Sequence, residues 1–76
     1  MTTGTQIRAA RALLDWTQDE LATKADVALR TIRLFEAGDR QPHRQTLDRL
    51  QGVLEEAGVQ FLETKAGVGV LLNTET

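Results

Sequence analysis

The chain has 76 residues, carries a formal net charge of −2 and contains no cysteine. A chain of this length forms one small domain, and without cysteine it has neither a disulfide framework nor a thiolate that acts as a nucleophile or metal ligand. Its apolar runs are too short for a signal peptide or a membrane-spanning helix, so we expect a cytoplasmic protein.

Charge is unevenly distributed along the sequence. Residues 1–44 hold seven basic and six acidic side chains, whereas residues 45–76 hold two and five. The acidic excess therefore lies in the C-terminal part, and the first part is close to neutral. A near-neutral surface attracts nucleic acid only weakly at long range, so DNA binding would depend on local contacts and on two copies acting together.

Two helices are predicted in the first third of the chain. In the first, apolar residues recur at a spacing of three to four, namely at Ile7, Ala10, Leu13 and Leu14. Its N-cap is predicted at Thr5, and its end lies near residue 15. Before the second helix, Thr17 stands three residues ahead of Glu20. This is the spacing of a capping box, and it predicts a short helix that ends near residue 25.

A third and a fourth helix follow. The third, over residues 28–37, buries Ile32 and Phe35 and precedes Gly38, a residue typical of helix C-termini. On a helical wheel a group of residues lies opposite Phe35 and is free to meet another molecule: Leu29, Arg30, Arg33 and Ala37. The fourth, over residues 43–57, ends at Gly58 and keeps its apolar residues on one face, namely Leu47, Leu50 and Leu54.

The last segment is predicted to be a β-hairpin followed by a loose tail over residues 73–76. Residues 59–62 and 68–72 are strand-like runs, and residues 63–67 are typical of a hairpin loop. A hairpin alone is marginal in water, so its apolar residues need cover: Phe61, Leu62, Val68, Val70 and Leu72. Pairing with a second subunit is favoured, and packing on the chain's own helices is the alternative. Residues 1–58 then form the helical unit, and residues 59–76 are the dimerisation element of the same domain.

Several motifs are shared with a known family. They are Arg11, the run TQDELA at residues 17–22, Ile32 with Phe35, and the run EAGDRQP at residues 36–42. Together they resemble the phage repressor and Cro family of helix-turn-helix regulators, also called the xenobiotic-response-element type, over residues 7–57. The resemblance implies a mainly α, four-helix repressor-like fold. Two positions depart from it: Asp26 replaces the turn glycine of positive φ, and Ala28 replaces the usual capping residue.

The resemblance also implies which residues meet DNA. The major groove admits one α-helix; arginine can donate two hydrogen bonds to guanine, and leucine can contact a thymine methyl group. Base contacts are therefore predicted from the third helix, at Leu29, Arg30, Arg33 and Leu34. Phosphate contacts are predicted near helix N-termini and after the third helix, at Thr17, Gln18, Arg40 and Arg44. Arg11 and Glu36 correspond to a family ion pair that joins the first and third helices.

The function expected from these residues is sequence-specific DNA binding by a transcriptional regulator. It would act as a repressor that binds a palindromic operator as a homodimer, with its recognition helices about 34 Å apart. An enzyme is not expected, because the chain has no serine or cysteine, one histidine and no glycine-rich phosphate loop. No metal, cofactor or small-molecule effector is expected. The lone His43 is more readily a surface residue or an incidental phosphate neighbour than a metal ligand.

The alternative is a protein-interaction module or an antitoxin component that keeps the helix-turn-helix fold. Added salt and the loss of Arg30 or Arg33 would weaken DNA binding, whereas neither change would affect binding to a protein partner.

Overall fold

The computed structural model describes residues 1–74, in which four helices precede a two-stranded antiparallel sheet. The helices are α1 (Gly4–Leu14), α2 (Gln18–Ala25), α3 (Leu29–Glu36) and α4 (Arg44–Glu56), and the strands are β1 (Val59–Thr64) and β2 (Gly67–Leu72). The predicted fold, mainly α with a C-terminal β-hairpin, is confirmed. Within this part of the chain, no helix combines the length and the apolar character needed to cross a bilayer.

Helix α1 begins earlier than its apolar spacing predicts. Thr3 is its N-cap: the Thr3 hydroxyl accepts a hydrogen bond from the Gln6 backbone N–H, and the Gln6 side chain accepts one from the Thr3 N–H. This capping box satisfies two backbone donors at once, whereas three residues after Thr5 the chain has Arg8, which cannot accept a hydrogen bond. The prediction of Thr5 as the cap is therefore wrong.

Helices α2 and α3 form the helix-turn-helix unit. The predicted capping box at the start of α2 is confirmed, with Thr17 as N-cap and Glu20 bonded back to its backbone N–H at 2.9 Å. Asp26 ends α2 at φ 54° and ψ 50°, so an aspartate adopts the left-handed conformation in which the family has glycine. Ala28 is the N-cap of α3 and makes no side-chain hydrogen bond there, as its residue type predicts.

One hydrophobic core joins the helices to the hairpin. Each helix contributes a fully buried side chain to it, and the largest of these are Ile7, Leu21, Ile32, Leu50 and Leu54. Helix α1 lies very close to α3 at Gly4, where a Cβ atom would overlap the backbone carbonyl group of Phe35. This approach therefore requires glycine at position 4.

The hairpin turn is tighter than the sequence predicts. Thr64 pairs with Gly67, which leaves two residues between the strands where the pattern predicts a five-residue loop over 63–67. Two-residue connections are the commonest in hairpins, and Gly67 has a positive φ of 153°. The ladder also extends beyond β2, because the Asn73 N–H donates to the Gly58 carbonyl at 2.8 Å. Asn73, the first residue of the predicted loose tail, is therefore hydrogen-bonded to the end of the hairpin, and residues 75 and 76 lie outside the described part of the chain.

One face of the hairpin covers the helical core. Phe61, Val70 and Leu72 are half-buried and pack against the core. Three of the five apolar residues predicted for a dimer interface are therefore covered by the chain's own helices, which is the alternative arrangement stated above. The other two differ in exposure: Leu62 is half-buried, and Val68 is 50% exposed near the turn.

Gln6 fastens the hairpin to α1. Its buried amide donates hydrogen bonds to the carbonyl oxygens of Leu62 and Gly69, at 3.1 and 2.9 Å, and these two residues face each other across the strands. Gln6 therefore fixes both the start of α1 and the position of the hairpin. In residues 1–74, no buried side-chain nitrogen or oxygen lacks a hydrogen-bond partner.

Candidate nucleic-acid interface

Helix α3 presents a basic face to solvent. Ile32, Phe35 and Glu36 are buried, whereas Arg30 and Arg33 are exposed on the other side of the helix. Among residues 1–74, neither of these two guanidinium groups takes part in an ion pair or hydrogen bond. Both are therefore available to another molecule.

The two leucines predicted to contact bases are less exposed than the arginines. Leu29 and Leu34 are both half-buried, and Leu29 packs against the hydrophobic core. Each leucine presents part of its side chain to solvent, which suits a contact with a thymine methyl group at the edge of the helix. The arginines form the exposed part of the α3 face.

A cleft of about 320 Å³ separates α3 from the start of α4. Eight residues line it: Arg30, Thr31, Leu34, Arg40, Gln41, Pro42, His43 and Thr46. This lining contains two guanidinium groups and one imidazole, but no carboxylate. The first turn of α4 has no acidic residue and no side-chain cap, so the positive end of its dipole adds to the positive potential of the cleft.

The structure places Arg40 and Arg44 in different grooves. Arg40 lines the cleft beside α3, whereas Arg44 lines a second groove of about 440 Å³ between α4 and the hairpin, which also contains Glu63. Arg40 therefore lies beside Arg30 of α3, and Arg44 lines the groove on the hairpin side. His43, expected from the sequence to be a surface residue or an incidental phosphate neighbour, lines the cleft instead. Neighbouring residues at a helix start differ by about 100° in direction, so a one-residue difference decides which groove is lined.

A buried ion pair fixes α3 relative to α1. The Arg11 guanidinium donates from Nε and Nη2 to the two carboxylate oxygens of Glu36, at 2.7 and 2.6 Å. This geometry is bidentate, and the Glu36 side chain is only 3% exposed. The hydrogen bonds that Arg11 donates to Glu36 raise the pKa of Arg11 above its usual value, although burial of the guanidinium opposes the shift. Arg11 also donates from Nη1 to the Trp16 carbonyl oxygen, so it also holds the segment between α1 and α2.

The start of α2 is tied to the same carboxylate. Gln18 Nε2 donates to Glu36 Oε1 at 3.0 Å, so the amide that is predicted to contact phosphate is already engaged within the chain. Its second N–H is still a donor for DNA. Thr17 is exposed at the start of α2, and its hydroxyl accepts from the Glu20 N–H at 3.0 Å.

These features define a DNA-binding helix-turn-helix protein: a capped α2, a left-handed turn at Asp26 and an α3 with an outward basic face. A family model described as helix-turn-helix matches residues 7–57, more than half of the chain. The chain belongs to this family, which comprises DNA-binding regulators of the Cro and repressor type. Among the curated proteins, none matches the chain closely enough to serve as a comparison.

Proposed function

We propose that this protein is a transcriptional repressor that binds a palindromic double-stranded operator as a homodimer, with α3 in the major groove. The observation that carries the proposal is the solvent-facing side of α3, where Arg30 and Arg33 are exposed on a helix held by the Arg11–Glu36 ion pair. A rigid helix with two outward guanidinium groups suits the major groove, because each can donate two parallel hydrogen bonds to a guanine.

Each part of the surface has a distinct role. Arg30 and Arg33 read base edges, and Leu29 and Leu34 add apolar contacts. Phosphates are held by Arg40 and by the start of α2, where Thr17 and Gln18 lie near the positive end of the helix dipole and the Gln18 amide keeps a second N–H. Arg44 is left out of this set, because its side chain lines the groove on the hairpin side.

A homodimer is proposed because one copy has too few charges for tight binding. Residues 1–44 are nearly neutral, so a single copy would bind DNA weakly. The molecule measures 32 × 29 × 19 Å, so two copies about a two-fold axis can place their α3 helices about 34 Å apart, one turn of DNA. The outer face of the hairpin, which includes Leu62 and Leu71, is the proposed contact between the copies. Occupation of an operator excludes other proteins from it, so repression is the proposed outcome.

Selection of bound duplexes from a random pool tests the proposal. We expect enrichment of a two-fold symmetric sequence with guanine in each half-site, and an affinity that falls as salt is added. Arg30→Gln and Arg33→Gln should each weaken binding to that sequence by about ten- to a hundredfold, since a bidentate arginine–guanine contact is worth about 1–3 kcal/mol. Lys65→Gln removes the same charge at the hairpin turn and is the matched control, with affinity expected to be unchanged.

Two outcomes would contradict the proposal. One is a selection that enriches no sequence. The other is binding that responds neither to salt nor to the loss of Arg30 or Arg33, which would instead favour a protein-interaction module.

A further inference from the structure

The cleft between α3 and α4 contains the chain's single histidine. His43 is exposed, is the N-cap of α4 and makes no side-chain cap hydrogen bond. It lines the cleft together with Arg30 from α3 and Arg40 from the preceding loop. Two guanidinium groups and one imidazole therefore line one space of about 320 Å³.

The charged groups that line the cleft beside His43 are positive. Arg30 and Arg40 are the charged groups of the lining, and no acidic residue belongs to it. The nearest acidic residues in sequence face elsewhere: Asp39 lines the groove towards α1, and Asp48 lines the groove towards the hairpin. The cleft thus suits an anion.

The position of the cleft identifies the anion. It borders the exposed face of α3 that carries Arg30, so a duplex whose major groove receives α3 brings its sugar-phosphate backbone to the cleft. Two nearby positive charges raise the free energy of placing a third positive charge beside them. An anion bound among the three lowers that free energy. A phosphate in the cleft would therefore favour the charged form of the imidazole, a group that changes its charge between about pH 5 and 8.

We infer that the cleft holds a backbone phosphate of the bound DNA and that His43 binds this phosphate as an imidazolium. DNA binding then takes up a proton, and the protein binds DNA more tightly as the pH falls. The inference rests on the proposed function and adds a residue and a pH response to it.

The test measures affinity for a short fluorescent duplex of the selected sequence at about pH 5.5 and pH 7.5, a range centred on the usual histidine titration. Wild type should bind about fivefold more tightly at the lower pH for each bound subunit, since one unit of pKa difference between the free and bound states approaches a tenfold change only well below both values. The plot of log affinity against log salt should also become steeper by about 0.9 for each additional phosphate contact.

Two variants isolate the imidazole. His43→Gln keeps a polar side chain of similar length without a titrating charge, and its affinity should be the same at both pH values and close to that of wild type at pH 7.5. His43→Arg carries a permanent charge, and its affinity should be independent of pH and close to that of wild type at pH 5.5. Both variants should fold, because the His43 side chain is exposed and caps no backbone group.

The outcomes separate this inference from the proposed function. Wild type that binds the duplex equally well at both pH values overturns the inference alone. A His43→Gln variant that keeps the full pH response overturns it as well, because the titrating group then lies elsewhere. Wild type that fails to bind DNA at every pH overturns the proposed function and, with it, the inference.

Discussion

Two glycines within helices have opposite roles in this structure. At Gly4, near the start of α1, a Cβ atom would overlap the carbonyl group of Phe35 and lie 3.1 Å from the Cα atom of Glu36. At Gly52, inside α4, a Cβ atom would have no such neighbour within 4 Å. Sequence shows only that both residues lack a side chain. The close approach of α1 to α3 arises from tertiary packing, so no local pattern could have predicted it.

The matched substitutions Gly4→Ala and Gly52→Ala should change stability in opposite directions. Gly4→Ala forces α1 away from α3 and should lower the free energy of unfolding by about 1–3 kcal/mol or more. Gly52→Ala should raise the free energy of unfolding by about 0.5–1 kcal/mol, since glycine is unfavourable in a helix interior. Urea unfolding of both variants measures the effects. A Gly4→Ala protein as stable as wild type would show that the contact between the helices is not as close as described.

Among the features of the helices and strands, those that depend on local interactions could be predicted from the sequence. The capping box of α2 was predictable because Thr17 and Glu20 lie three residues apart. The start of α1 was not, because two threonines compete there and the choice depends on which one has Gln6 three residues later.

In the candidate site, too, some features could be predicted from the sequence and others could not. The exposed positions of Arg30 and Arg33 follow from the period of α3. The assignment of His43 and Arg44 to different grooves depends on how the loop meets α4, which no periodicity predicts. Likewise, alternation along the strands could indicate that the hairpin has two faces, but not which of them packs on the helices.

The cap of α2 predicts a pH dependence of stability. The backbone N–H of Thr17, and then its hydroxyl, lower the pKa of the exposed Glu20 carboxyl below the usual 4.5. A carboxyl whose pKa is lower in the folded state stabilises the fold above its unfolded pKa, and this contribution is lost as pH falls through the lower, folded value. Glu20→Gln should therefore be less stable than wild type at pH 7, and the difference should shrink below about pH 4.5.

Unfolding free energies measured between pH 7 and pH 3 test this prediction. Glu56→Gln removes an exposed carboxylate at the end of α4, outside the α2 cap, and serves as the control. A stability difference between Glu20→Gln and wild type that stays constant as the pH falls would mean that the charge of Glu20 does not strengthen the cap.

For the whole molecule, the two faces of the hairpin have different roles. The inner face stabilises the folded subunit, and the outer face is available for self-association. Phe61, Val70 and Leu72 pack against the core and so stabilise the subunit. Leu71 lies between Val70 and Leu72 on β2, so its side chain points to the opposite face, where it is 40% exposed. A dimer formed through the hairpin would therefore use the outer face, because the inner face is already covered.

Leu71→Asp should weaken self-association while leaving the subunit folded. A charge in an apolar contact must be desolvated, so we expect dimerisation and operator affinity each to fall at least tenfold, with little change in the helical circular dichroism or the melting temperature. Val70→Asp places the same charge on the inner face and should lower the melting temperature of the subunit itself. Thr23→Asp, at an exposed position on α2, controls for the added charge.

Sedimentation velocity measures the association of the subunits. A wild-type protein that is monomeric at micromolar concentration, both free and on DNA, would refute assembly through the hairpin.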